Sequence, residues 1–384
     1  MSKAFLDIHI IQPVPPSNVN RDDTGAPKTA FYGGVRRARV SSQAWKRATR
    51  SAFHGLVDKS RLGVRTQRVI EQIAEKIAEI DPALKGESEA LAAEVIKTVG
   101  ITTEKPKPKK DEAGQDVVKA EESAYLVFFS SLQIEKAARR AVEDQHAGIK
   151  PNKKIYKAIL QQDNSLDIAL FGRMIADLTD LGVDASAQVA HALSVHAVES
   201  ESDFYTAVDD WKRNDPDRDA GAGMLGTIEF NSSTLYRYAT VSLQQLHENL
   251  GSAEAVREAL TAFAQGFVES MPTGKANTFA NQTLPAAVVF AVRTDRPVSL
   301  VGAFERPVTQ DGGFTAPAVK ELVKHAKDLA GTYDAPVGYW TAGAGELAQP
   351  LDELAERASL RTAAEAAASA ALEKAGLAGT GGSQ

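Results

Sequence analysis

Thr24-Gly25-Ala26-Pro27-Lys28-Thr29-Ala30-Phe31-Tyr32-Gly33-Gly34-Val35-Arg36-Arg37-Ala38-Arg39-Val40-Ser41-Ser42-Gln43-Ala44-Trp45-Lys46-Arg47-Ala48-Thr49-Arg50-Ser51-Ala52-Phe53-His54-Gly55-Leu56-Val57 carries Lys28, Arg36, Arg37, Arg39, Lys46, Arg47 and Arg50 but no Asp or Glu. In a chain of formal net charge -6, that segregation marks one surface as complementary to a polyanion. The same residues predict the local fold: a strand, a long polar loop and a cationic helix. Ser41 or Ser42 is placed to cap the helix. At about 100° per residue Gln43, Lys46, Arg47 and Arg50 share one face, and Trp45, Ala48 and Ala52 share the other. The helix can therefore pack by its tryptophan and present three cations outward. Upstream, Gly25, Gly33 and Gly34 allow close backbone approach to a phosphate or positive φ, and Asn20-Arg21-Asp22-Asp23 makes a polar turn. A merely solvated face is the competing explanation. Solvated faces mix both signs, as this chain does between Glu71 and Glu94, so the missing acids favour the polyanion.

Outward from that stretch, the 384 residues are 43% hydrophobic and 24% charged, which is ordinary globular material with length for one large core or two modest domains. The absence of cysteine excludes disulfides, thiolate nucleophiles and cysteine zinc sites, and is compatible with a reducing compartment. No apolar run reaches the ~20 residues that span a bilayer, and Met1-Ser2-Lys3 leads into an alternating strand rather than a signal-peptide core. The expectation is a cytoplasmic protein.

Ala4 to Ile11 alternates, with Leu6, Ile8 and Ile10 on one face and Phe5, Asp7 and His9 on the other, as in a strand with one buried side. Thr66 to Val99 has helical spacing interrupted at Asp81-Pro82. Lys105 to Glu122, with Lys-Pro-Lys-Pro-Lys-Lys followed by acids, has little means of burying itself and is expected to be a mobile surface insertion. Helices are expected at Ala124 to His146 and Lys153 to Gln161, so about Arg61 to Gln162 reads as a helical lobe. Strand-like material follows at Leu166 to Leu170 and Ala190 to Val198. Glu199 to Gly226 is polar and turn-rich, a long excursion from a scaffold. Thr227 to Val241 alternates, Ala253 to Phe267 is an amphipathic helix, Leu284 to Val292 a buried strand, and Gly376 to Gln384 a frayed tail. This order suits an α+β domain whose helices cover one sheet face.

No Walker sequence, Rossmann glycine fingerprint, Gly-X-Ser-X-Gly elbow or His-Glu-X-X-His helix is present. The seven histidines are scattered, and His9, His191 and His196 read as satisfied core groups in or beside strands rather than as ligands. Adjacent Asp22 and Asp23 could hold a divalent ion for phosphodiester cleavage. Successive carboxylates rarely converge on one ion, however, and Asp in a Gly-rich loop more often makes a turn or pairs with Arg. Arg173 and Met174 follow Gly172, and an apolar side chain beside a cation can wedge between bases while the cation holds the backbone. On spacing alone Met174 is a core filler.

Asn20-Arg21-Asp22-Asp23, Phe31-Tyr32-Gly33-Gly34-Val35-Arg36-Arg37-Ala38-Arg39-Val40-Ser41-Ser42-Gln43 and Lys46-Arg47-Ala48 resemble the CasC family, the backbone subunit of the type I-E CRISPR surveillance complex Cascade. The likeness continues through Asp167 to Met174, Ala190-His191-Ala192, Asp203 to Asp210, Leu225-Gly226-Thr227, Tyr236 to Ala239 and Leu246 to Gly251. It implies a hand-shaped α+β protein. The palm, RNA-recognition-motif-like (ferredoxin-like), would comprise 1–60, 163–198 and 227–315, with 316–375 as its C-terminal helical part. Inserted helical fingers would occupy 61–162, with the insertion 105–122, an extended β-hairpin thumb 199–226, and a disordered tail 376–384.

By that resemblance several copies stack along the spacer of a CRISPR RNA, each thumb displacing one nucleotide, and the guide pairs with a target DNA strand. Partners would be the CRISPR RNA, further copies of the chain and Cascade subunits of the CasA, CasB, CasD and CasE types, with no membrane. Lys46, Arg47 and Arg50 would hold phosphates, joined by Asn20, Arg21, Lys28, Arg36, Arg37, Arg39, Ser41, Gln43 and Arg173. Met174 and Leu225 would wedge the kink, with Phe204 and Tyr205 lining the thumb. The family implies a scaffold without catalytic residues, metal or cofactor. The insertion 105–122 departs from its pattern. Related type III backbone subunits cleave target RNA with an acidic loop residue, which keeps a metal-dependent ribonuclease at Asp22 and Asp23 as one alternative. A nucleic-acid-free self-assembling protein is the other.

Overall fold

Alternation in the opening strand predicts a buried ribbon, and Phe5–Ser17 is one, hydrogen-bonded between Ala287–Arg293 and the long strand Met224–Ser242. It pairs antiparallel with Ala287–Arg293, setting Ile8 opposite Phe290 and Ile10 opposite Val288. All seven residues Ala287–Arg293 are buried, as expected of a strand covered on both faces. This computed structural model describes residues 2–106, 109–110, 116–117, 120–175, 177–207, 224–309 and 312–378, and divides into two units.

The first unit comprises Met1–Ala52, Gln188–Val241 and Leu260–Gln384. Its mainly antiparallel sheet runs Arg357–Ala358, Gly338–Gly343, Ala287–Arg293, Phe5–Ser17, Met224–Ser242, Ala192–Ser194, Val35–Val40 and Thr29–Tyr32. On the face carrying Ile11, Tyr236 and Val289, the helix Thr315–Thr332 packs Val319, Leu322 and Val323. On the opposite face, Arg237 donates to Gln12 and lies over Trp45 of the helix Ser42–Ala52 and Phe267 of the helix Ala253–Glu269. Helices therefore cover both sheet faces, where the sequence suggested one. Alternation of apolar residues on one strand face hid the burial of polar ones on the other, because Asp7 and His9 are buried with hydrogen-bond partners, as is Gln12 at the end of the apolar face.

The second unit, Phe53–Ala187 with Ser242–Ala259, is mostly helical. Helices Val69–Ile80, Ser88–Val99, Ser131–His146 and Lys153–Gln161 bury Ile73, Ile77, Val95, Ala137, Tyr156 and Leu160 in one core. The Asp81-Pro82 break separates the first two, with the Asp81 carboxylate accepting the Ala83 N–H. Ser130 and Gln133 form a capping box that starts the third.

Several sequence expectations shift. Leu166 to Leu170, expected as a strand, is the helix Leu166–Phe171 within this second unit. A five-residue apolar run has no period to separate the two forms, and Asp167 in the first turn accepts the Gly63 N–H at 2.9 Å. The helix expected from Ala124 begins only at Ser131, after the strand Val127–Ser130 paired with Gly63–Thr66. The strand at Ala190 to Val198 narrows to Ala192–Ser194. Residues 107–108, 111–115 and 118–119 of the expected insertion, 208–223 within the polar excursion and 379–384 of the tail lie outside the described residues. Among the described residues no helix is long and apolar enough to cross a membrane.

Candidate nucleic-acid interface

The helix Ser42–Ala52 is fixed from beneath. Ser41 caps it, its hydroxyl accepting the Ala44 N–H at 3.3 Å, and the Asn20 carboxamide oxygen accepts the Ser41 N–H at 2.8 Å. Trp45 is buried with the Arg237 guanidinium 3.7 Å from its ring centroid, and Thr49 is buried one turn on. The face left outward carries exposed Gln43 and Arg47, with Lys46 and Arg50 half-buried at its flanks.

That outward face forms part of a groove of about 750 Å³ lined by three segments: Val19–Asp22, Ser41 to Ser51 and Met271–Lys275. Asn20, Arg21, Ser41, Gln43 and Arg47, all singled out by sequence, meet there, whereas Lys46 and Arg50 are not among its lining residues. Arg21, Arg47 and Lys275 outnumber the one acid, Asp22. The Asp22 carboxylate is turned into its own loop, accepting from the Thr24 N–H at 2.9 Å, the Thr24 hydroxyl at 2.7 Å and the Ala26 N–H at 3.1 Å. Those bonds hold its pKa below the usual carboxylate range, the Thr24 hydroxyl first among them. Asp22 thus completes an Asx turn, as the local reading expected. Among the described residues no cluster of three or more His, Asp or Glu is placed to hold a metal ion.

Of the remaining cations, Lys28 and Arg39 stand on adjacent strand ends, with Arg39 Nη1 3.3 Å from His191 Nδ1. His191 is exposed, correcting its expected place among core groups, while His9 and His196 are buried as expected. Arg36 is exposed, its guanidinium 5.4 Å over the ring of exposed Phe31. Two arginines expected at phosphates are structural instead. Arg37 is fully buried and donates to the carbonyls of Tyr32, Ser194 and Phe304. Arg173 is buried and donates to the carbonyls of Leu181, Leu160 and Phe128 and to Gln133. Burial pulls its pKa down to about 10. Neither guanidinium has a face left for a phosphate.

The expected wedge residues are all outward. Arg173 pairs with Val183 through both backbone bonds, and with Arg173 directed inward its neighbour Met174 is 90% exposed rather than a core filler. Glu201–Ala207 pairs antiparallel with Met224–Phe230, and this register sets Phe204 opposite Thr227 and Leu225 opposite Thr206. Phe204 and Leu225 are therefore diagonal neighbours on one face, 64% and 61% exposed. Tyr205 lies on the other face, over Gly226. A Cβ on Gly226 would come within 2.4 Å of the Tyr205 ring, so the ring as placed lies directly over the glycine.

Sequence reasoning missed the Met271–Lys275 wall. A Pro-Thr-Gly-Lys turn after an amphipathic helix is its only sequence signal.

A family model described as CT1975-like protein matches residues 6–366. Among solved structures, a chain of a "CRISPR RNA-guided surveillance complex, pre-nicking" is 35% identical, with 96% of this chain and 100% of that chain covered and a TM-score of 0.80. A chain of a second "CRISPR RNA-guided surveillance complex" is 32% identical, with 95% and 99% covered and a TM-score of 0.71. No curated protein matches the sequence.

Proposed function

The chain belongs to the CT1975-like protein family, and from that premise we propose that it is a subunit of a CRISPR RNA-guided surveillance complex of the Cascade kind. Within it the chain is the guide-RNA-binding backbone subunit, corresponding to CasC of type I-E. The observation that carries this reading is the groove, where Asn20, Arg21, Gln43 and Arg47 surround a helix N-terminus and the one acid is folded into its own turn. Such a surface fits phosphates, and phosphate contacts hold a strand without selecting its sequence. Sequence selection then falls to base pairing between guide and target DNA.

In this reading the helical unit serves as fingers, and the paired arms Glu201–Ala207 and Met224–Phe230 form the base of a thumb. Phe204, Leu225 and Met174 are solvent-exposed apolar groups of the kind that unstack bases. The protein acts as a scaffold in the cytoplasm, without catalytic residues of its own.

The test is purification with and without a co-expressed CRISPR array and companion subunits, followed by a high-salt wash and sequencing of retained RNA. One discrete, full-length CRISPR RNA in a large complex is the expected result. A nucleic-acid-free particle of unchanged size under both conditions would sink it in favour of protein-only assembly. Manganese-dependent cleavage of annealed RNA, lost in Asp23→Ala, would instead establish a ribonuclease.

A further inference from the structure

The segment Gly274–Ala280 is held in an unusual backbone. Among the described residues three non-glycine residues have positive φ, and two of them, Lys275 at 51° and Ala280 at 46°, bracket its single helical turn. L residues with side chains avoid that region because Cβ crowds the following carbonyl. Just before it, Gly274 is pressed against the first wall of the groove, where a Cβ would stand 2.2 Å from the Val19 carbonyl oxygen. Gly274 therefore admits no side chain while Val19 and Asn18 keep their places. Upstream, Met271 and Pro272 are buried, so the wall is anchored ahead of the turn. Strain of this kind persists only where surrounding structure over-determines it, and it concentrates at binding sites. Its product here is a half-buried Lys275 lining the same groove as Arg21 and Arg47.

We propose that Lys275 is a phosphate-contacting residue of the groove, so that the backbone of a single-stranded nucleic acid is gripped by the Met271–Lys275 wall as well as by the cationic helix. This rests on the reading of the groove as a nucleic-acid site, and adds to it a contact that the cationic stretch does not contain. A lysine serves as a point charge on a flexible stem, so it supplies charge and no fixed geometry. Its removal should weaken binding alike for every sequence and flatten the salt dependence.

The full chain is titrated with a fluorescein-labelled oligouridylate over a range of KCl concentrations, comparing Lys275→Asn, Lys275→Arg and Arg47→Gln with wild type. Asparagine tolerates the left-handed backbone and lacks the charge. Lys275→Asn is expected to make the slope of log K against log salt shallower by about 0.7, as Arg47→Gln does, with Lys275→Arg restoring it. A Lys275→Asn slope equal to wild type, alongside a flattened Arg47→Gln, overturns the Lys275 contact alone. Slopes unchanged in both overturn the groove reading itself. Acetylation footprinting on wild type guards against misfolded variants: the oligonucleotide should protect the Lys275 amine several-fold, and unaltered reactivity with Arg47→Gln defective for binding rejects the contact.

Discussion

Arg237 shows what one side chain does for the interface without touching it. The guanidinium is buried between Trp45 and Phe267 and donates to Gln12 Oε1 at 2.6 Å and to the carbonyls of Phe267 and Val268. Burial lowers its pKa to about 9, and no carboxylate pairs with it among the described residues. The charge is retained because it seats Trp45, and Trp45 seats the cationic helix. Arg237→Ala removes the stacking partner and orphans three acceptors, which should cost about 3–5 kcal/mol. Arg237→Met refills the space without a charge and should recover part of that loss. Urea unfolding followed by Trp fluorescence measures both, and a loss under about 1 kcal/mol for Arg237→Ala would show that the helix is seated some other way. Nothing in the sequence distinguishes Arg237, Arg37 or Arg173 from the surface arginines. Each has at least one acceptor far along the chain, Ser194 and Phe304 for Arg37, Phe128 for Arg173 and Gln12 for Arg237. The surface set Asn20, Arg21, Gln43 and Arg47 was legible because two nearby segments and one helix period place it.

At the level of elements, the opening strand carries two titratable groups that act in opposition. Tyr236 hydroxyl lies 3.0 Å from His9 Nδ1 and accepts the Leu300 N–H. Burial, aided by Arg293, depresses His9 to about 3. Asp7 accepts from Tyr238 hydroxyl and the Val298 N–H, yet burial outweighs these bonds and Arg293 and raises it to about 6. Below pH 6.5 the unfolded chain protonates His9 and the folded chain does not, so His9 withdraws stability as pH falls towards 3. Asp7 contributes stability that is present below 3.8 and lost as pH rises to about 6. Between 3.8 and 6 the folded chain holds one proton on Asp7 and the unfolded chain one on His9, and the two slopes cancel. Asp7→Asn removes one of them. The stability difference between wild type and Asp7→Asn should therefore change by about 1.4 kcal/mol per pH unit across that window, with wild type relatively better at the acid end. Denaturant curves at two pH values inside it decide the matter, since parallel behaviour would mean that Asp7 titrates normally. The alternation of this strand was readable, but its burial on both faces was not: besides the nearby helix Ser42–Ala52 it depends on Ala253–Glu269 and Thr315–Thr332, more than two hundred residues downstream.

Across the whole molecule, charge segregation and helical periodicity survived translation into structure better than short apolar runs, because the former are sums over many residues and the latter turn on a few. The insertion belongs to that scale, since it asks whether a segment is part of a unit or added to it. Its flanks are joined: Thr103 pairs with Ser123 and Glu104 with Glu122 in an antiparallel ladder. Shortening the connection by about three doublings of length recovers roughly 2 kcal/mol of closure entropy. Against this stand the Lys97–Glu121 ion pair at 2.7 Å and the bond from Thr103 to Glu121, of which the ion pair is partly exposed and worth at most about 1 kcal/mol. Replacing residues 105–121 with a two-residue Asn-Gly turn should therefore leave the helical unit at least as stable, because that dipeptide suits a tight hairpin between paired strands. If the segment only decorates the unit, oligouridylate affinity stays within about twofold of wild type, a change of ~0.4 kcal/mol. A drop in melting temperature would place its residues in the fold. A loss of affinity with melting unchanged would place them on the nucleic acid, where the lysines of Lys105 to Lys110 would join the groove in carrying the strand.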